Sequence, residues 1–133
     1  MKLKHFNLSI GTQIMKALGE ESRIRIMHLL YENEEMCISD IELVLDFTQT
    51  KTSRHLIYMK NAGLLNVRKV DQWSFYSIKE ELMGIIETIF KYMERDAQLI
   101  EDQETYRTLS SNRELAMNKI ERRRMSHHYP EGD

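Results

Sequence analysis

Two short runs carry residue types at spacings that could do chemistry. The first is Thr48-Gln-Thr-Lys-Thr-Ser-Arg-His-Leu56. If this run is a helix, Gln49, Lys51, Thr52 and Arg54 offer an amide, an ammonium, a hydroxyl and a guanidinium along one side. An amide can pair with adenine and a guanidinium with guanine or a phosphate, so this is chemistry suited to the major groove of a duplex. Thr50 and Ser53 can add shorter contacts, and His55 is open to either duplex contact or a packing role at the helix junction. The second run is Glu35-Met-Cys-Ile-Ser-Asp-Ile41, which holds the one cysteine of the chain. A thiolate at Cys37 could bind a soft metal ion or be oxidised. No complete donor set accompanies it. His127 and His128 are weak auxiliary candidates, because two adjacent residues near the chain end do not define a coordination geometry. No nucleophile and base pair, phosphate loop or closed metal cluster is apparent, so enzymatic function is not expected.

Helices must position these groups. Ile10, Ile14, Met15 and Leu18 recur at helical spacing and predict a helix from Ser9 to Leu18. Ile24, Met27, Leu30 and Tyr31 predict a second from Ser22 to Glu32. A short helix follows from Ser39 to Leu45, with Ser39 as its N-cap and Glu42 as the capping-box partner. The polar run then predicts a helix over Gln49–Asn61, opened by Thr48 and stopped by Gly63. Leu56 and Met59 anchor it from below. Together the two form a helix-turn-helix.

Next come two β-prone runs, Leu64–Val70 and Trp73–Ile78, joined by Asp71-Gln72. They predict a hairpin wing beside the reading helix. Arg68 and Lys69 on it could reach phosphates or the minor groove, whereas Trp73, Phe75 and Tyr76 are expected to pack the small sheet. From Lys79 a long helix carries a continuous apolar face through Leu82, Ile85, Ile86, Ile89, Phe90, Met93, Ala97 and Ile100. So long a stripe exceeds what a small core can cover, which predicts a homodimer through Ile10, Ile14, Leu82, Ile86, Ile89, Phe90 and Met93. Ser110-Ser111-Asn112 is expected to cap one more helix running toward Met125. The fold class is therefore mainly α with a β-hairpin wing, with residues 1–105 as the winged helix-turn-helix and dimerisation unit and 106–133 as a helical extension and mobile tail.

The 133 residues carry a formal charge of -2, which gives no overall attraction for nucleic acid. Between Leu45 and Glu80, however, six basic residues face three acidic ones, a local balance of +3. The first ten residues do not resemble an export signal, and no long apolar run suggests a membrane span, so a cytoplasmic location is expected.

The span Lys16-Ala-Leu-Gly-Glu-Glu-Ser-Arg-Ile-Arg-Ile-Met-His-Leu-Leu30 resembles the opening helices of the ArsR/SmtB repressor family. The resemblance continues through Glu35–Ile41, Thr48–Leu56, Ala62–Leu65 and Trp73–Tyr76, covering roughly residues 10 to 90. It implies a homodimeric winged helix-turn-helix repressor of double-stranded operator DNA, an inverted repeat, released by an inducer. It does not name the inducer: arsenite, antimonite or a metal ion at Cys37 are candidates that the resemblance brings, and oxidation of the Cys37 thiol is a further one. One metal site of the family resembles Glu-Leu-Cys-Val-Cys-Asp-Leu. Here Cys37 fills the first cysteine position and Ser39 replaces the second, a far poorer ligand for soft ions. The family's carboxylate and histidine site on the dimer helix has no counterpart, since no histidine lies between Leu56 and Ser126. The alternative is a winged-helix protein-interaction module without specific DNA binding.

Overall fold

The computed structural model describes residues 6–112, 117 and 119–122. His127, His128 and the stretch near Met125 lie outside them. Within residues 6–112, six α-helices and a three-stranded antiparallel sheet follow one another as α1 (Leu8–Ala17), α2 (Glu21–Asn33), β1 (Met36–Cys37), α3 (Ile38–Leu45), α4 (Gln49–Asn61), β2 (Leu65–Val70), β3 (Trp73–Ile78), α5 (Met83–Tyr92) and α6 (Ala97–Ser111). A 3-10 turn, Glu80–Leu82, leads into α5.

Capping explains most of the boundaries. The Asn7 side chain accepts from the Ile10 amide at 3.0 Å and starts α1 one residue before the expected Ser9. Thr48 accepts from the Lys51 amide at 3.0 Å, and α4 spans the expected residues. After α4 the chain reverses at Gly63, whose φ of 85° is open to glycine at little cost. Two expectations fail. Ser39 does not cap α3, which begins at Ile38 after Cys37; the Ser39 hydroxyl instead lies 3.1 Å from the Cys37 sulfur. The long helix from Lys79 is not continuous, because the chain turns after Tyr92 and restarts at Asp96, whose carboxylate accepts from the Leu99 amide at 3.0 Å. Ser110 and Ser111 are the last residues of α6, Asn112 follows them in an extended conformation, and residues 117 and 119–122 are helical again. The division expected between residues 105 and 106 thus falls inside α6.

The sheet has the order β1-β3-β2. The hairpin turns through Asp71, at a φ of 56°, a conformation aspartate tolerates better than most residues. Its third strand was absent from the sequence reading, since two residues show no period. Cys37 pairs with Phe75 and Phe75 with Arg68, so the three stand in one row across the sheet. Tyr76 is buried, Phe75 half-buried, and Trp73, expected to pack, is 46% exposed at the tip.

Ile14 and Ala17 of α1, Ile26, Met27, Leu29 and Leu30 of α2, Ile41 and Leu45 of α3, Leu56 and Met59 of α4, Ile78 of β3 and Ile86 and Phe90 of α5 form one core. Ile14, Leu82, Ile86 and Phe90, expected at a dimer interface, are therefore consumed within the single chain, at 1%, 3%, 0% and 4% exposure. The apolar period reports which face is covered, not by what. Ile10, Ile89 and Met93 are half-buried.

Polar groups fasten α6 across α2. The Arg25 guanidinium donates twice to Asp102, each at 2.9 Å, and Gln98 donates to the same carboxylate at 2.9 Å. Asn33 and Gln103 exchange reciprocal amide bonds of 2.8 Å. Asp102 is 3% exposed, so its charge is affordable only with this full set of donors. Asp102→Asn leaves Arg25 half-served and is expected to destabilise the chain by about 3 kcal/mol. Urea unfolding at neutral pH measures this; an unchanged midpoint would show that the pair holds nothing.

Candidate nucleic-acid interface

The α4 sequence sorts its side chains into two faces. Thr52, His55, Leu56 and Met59 point into the molecule, at 0%, 3%, 0% and 0% exposure. Gln49, Thr50 and Arg54 are exposed on the other side, with Lys51 and Ser53 at intermediate positions. Thr52 was expected among the outward groups. Its hydroxyl donates to the Thr48 carbonyl at 2.9 Å and serves the start of the helix, so it is unavailable to a duplex. Lys51 carries its ammonium 4.1 Å above the Phe47 ring, which directs its stem along α4's first turn. Ile57 and Tyr58 extend the outward face with apolar surface, at 47% and 37% exposure.

His55 is held rather than offered. Arg23 of α2 donates through Nη1 to the His55 Nδ1 at 3.4 Å, so that nitrogen is the acceptor and the ring proton resides on Nε2. Nε2 faces the Glu20 carboxylate at 3.2 Å, off the line of a good hydrogen bond. The same guanidinium donates to Glu20 at 3.2 Å, to the Ala17 carbonyl at 2.9 Å and to the Lys16 carbonyl at 3.0 Å, and lies 4.3 Å over the Tyr58 ring. One side chain thus satisfies the C-terminal carbonyls of α1 and grips two residues of α4 a turn apart. Arg23, Glu20 and Tyr58 were missed by sequence reasoning. Their contacts span up to 35 positions and follow no local period.

On the wing, Arg68 and Lys69 are both exposed. Arg68 is already engaged: it donates to the two Glu35 oxygens at 2.7 and 3.0 Å and its guanidinium lies 4.8 Å from the Phe75 ring centre. This fork holds the Glu35 carboxyl below its ordinary range. Glu35, just before β1, is a further residue the sequence did not single out. Cys37 is buried, with the Ser39 hydroxyl as its neighbour. Among the described residues no group of three or more His, Cys, Asp or Glu could hold a metal ion. Nor, among them, is any helix long and apolar enough to cross a membrane.

Burial lowers the pKa of His55, with Arg23, Arg54 and Lys51 adding to the shift and Glu20 opposing it. Burial also lowers that of His28 in α2, against the opposing pull of Glu32, Asp102 and Asp96. With both folded values below the unfolded value of about 6.5, the unfolded chain binds protons first on acidification. The stability from the neutral rings is fully present above that value and is lost as pH falls through the window below it. The urea midpoint is therefore expected to fall between pH 7.5 and 5.5, and His55→Gln to reduce the fall; equal midpoints for the unmodified chain would refute the linkage.

Residues 20–67 match the family described as bacterial regulatory protein, arsR family. That stretch runs from Glu20 through the helix-turn-helix to the start of β2, and so contains Glu20, Arg23, His55 and Tyr58. The arsenical resistance operon repressor of Escherichia coli (strain K12) is 39% identical over 70 residues, which cover 53% of this chain and 60% of that repressor, less than two thirds of its length. The cadmium resistance transcriptional regulatory protein CadC of Listeria innocua is 30% identical over 87 residues, covering 65% of this chain and 73% of that protein. The solved structure of HlyU from Vibrio cholerae N16961 superposes with a TM-score of 0.60 at 28% identity, over 66% of this chain and 96% of that one. With the winged helix-turn-helix in place and the match running through the residues that hold its reading helix, the chain belongs to the arsR family of bacterial regulatory proteins.

Proposed function

We propose that the chain is a sequence-specific repressor of transcription that binds double-stranded DNA as a homodimer in the cytoplasm. The observation that carries this reading is the division of α4, with Gln49, Thr50 and Arg54 exposed while His55 and Thr52 are locked inward. A helix braced from behind can enter the major groove at a fixed angle, with its first turns toward the base edges. Gln49 and Arg54 have the fork-like amide and guanidinium that pair with adenine and guanine. Thr50, Ser53 and Lys51 add shorter or phosphate contacts, and Lys69 meets the backbone from the wing.

Homodimer formation is supported by apolar surface that the single chain leaves in water. Leu8 and Met15, seven residues apart on α1, are 87% and 67% exposed, and Tyr92 at the end of α5 is 89% exposed. With the half-buried Ile10, Ile89 and Met93, these replace the buried residues first assigned to the interface. A twofold axis through such a contact pairs two reading helices and makes the preferred operator an inverted repeat.

The names of the relatives connect those proteins with arsenical and cadmium resistance. A soft ion needs two or three strong donors, and Cys37 with a hydroxyl neighbour supplies one thiolate. Release by such an ion would therefore require donors from a second chain or from outside the described residues.

Selection of duplexes from a random pool, followed by titration across salt concentrations, tests the reading; a folded dimer with no preference over competitor DNA would overturn it. Arg54→Ala is expected to weaken the selected duplex by about 1–3 kcal/mol while the variant still folds as a dimer. Glu35→Gln is expected to act in the opposite direction. By releasing Arg68 to a phosphate it should tighten binding and steepen the log–log salt dependence by about one unit, and an unaltered slope would show that Arg68 never reaches the DNA.

A further inference from the structure

A cleft of about 250 Å³ opens between α2, α5 and α6, away from the α4 face. His28, Tyr31 and Glu32 line it from α2, three and four residues apart and so on one side of that helix. Phe90 lines it from α5 and Ile100 and Glu104 from α6. The aromatic rings form a connected wall: Phe90 meets His28 edge-on at 5.2 Å and Tyr31 at 5.5 Å between centroids. His28 is 8% exposed, its Nε2 lies 3.4 Å from the Glu32 carboxylate, and its Nδ1 has no hydrogen-bond partner.

We propose that this cleft binds a small organic cation, a protonated amine on an apolar or aromatic body. The proposal goes beyond the DNA-binding reading and does not depend on it. Size and lining set the ligand class: an aromatic wall with Ile100 suits a hydrocarbon body, and carboxylates beside it suit an ammonium group. Charge sets the sign. The charged groups that act on His28 are the carboxylates of Glu32, Asp102 and Asp96, and those that act on Tyr31 are Glu87 and Glu32. Asp102 is neutralised by Arg25, but Glu32 is not so paired, and it stands against the buried imidazole. Glu94 and Glu104 also line the cleft, and among the described residues neither has an ion-pair partner. Lys91 and Arg107 line it too, both exposed, so three carboxylates face two cations. A cation held here would rest on the rings and replace the missing counter-charge of Glu32 and Glu104, while the neutral His28 adds no repulsion.

The test is titration of the full chain with 2-phenylethylammonium, followed through backbone amide NMR shifts. 2-Phenylethanol matches its shape without the charge, and phenylacetate reverses the charge. The expected result is saturable shifts confined to α2, α5 and α6 with the ammonium compound, at least about fivefold weaker with the alcohol. The Glu32→Gln, Glu104→Gln double variant, altered at surface-accessible carboxylates, should keep the unmodified spectrum elsewhere and weaken the ammonium compound by a similar factor. Ile100→Trp, which fills the cleft from an exposed position, should abolish the shifts. Equal binding of the alcohol, stronger binding of phenylacetate, shifts scattered over other elements, or an undiminished response in the double variant would each overturn the proposal.

Discussion

The arrangement of this molecule turns on the guanidinium of Arg23. Its donors end α1, secure Glu20 at the entry to α2 and reach the imidazole of His55 in α4, while its face covers Tyr58. Lysine could supply the charge but not the planar fork, whose separate N–H directions serve partners on three helices at once. Without that brace α4 would be held chiefly by apolar packing around Leu56 and Met59, which resists separation far better than rotation about the helix axis. Rotation is what decides which side chains face outward, since consecutive residues on a helix are about 100° apart. The outward position of Gln49 and Arg54 is thus a consequence of an inward polar lock.

Much of the fold was legible because local signals agreed with tertiary need. Thr48 and Gly63 bracket α4 correctly, and the alternation on either side of Asp71 gives the hairpin. The break between α5 and α6 was obscured because Leu82 through Ile100 keeps an apolar period that a helical turn and an interhelical corner can share. Asp96 was the one available signal, an N-cap residue type inside an otherwise helical pattern. The start of α3 shifted for a different reason: once Met36 and Cys37 pair with β3, the helix must begin at once, before a serine cap can form.

The candidate site was legible in outline and not in detail. The choice of α4 as the reading helix followed from its polar composition, yet composition did not separate Thr52 from Thr50. Thr50, Thr52 and Ser53 all carry hydroxyls, and only the tertiary direction of the helix decides which is covered. Arg68 illustrates the same limit on the wing, where a free cation in the sequence becomes a partner of Glu35, 33 positions earlier. Ile14, Ile86 and Phe90 of the expected dimer stripe are covered within the single chain, in which α6 turns back after Tyr92 instead of prolonging α5. The buried pairs Arg25–Asp102 and Asn33–Gln103 that hold it there join positions 77 and 70 residues apart.

The two-residue strand β1 has a mechanical consequence. Met36 and Cys37 are zipped to the outer hairpin, and Ile38 begins α3 with no spacer between them. A wing attached this way has no hinge at its root, so a swing of its tip would drag the first turn of α3 and strain the core beneath. Each half of an assembled pair would then behave as a stiff paddle. Adaptation to operators of different pitch or spacing would have to come from the seam where the two paddles meet.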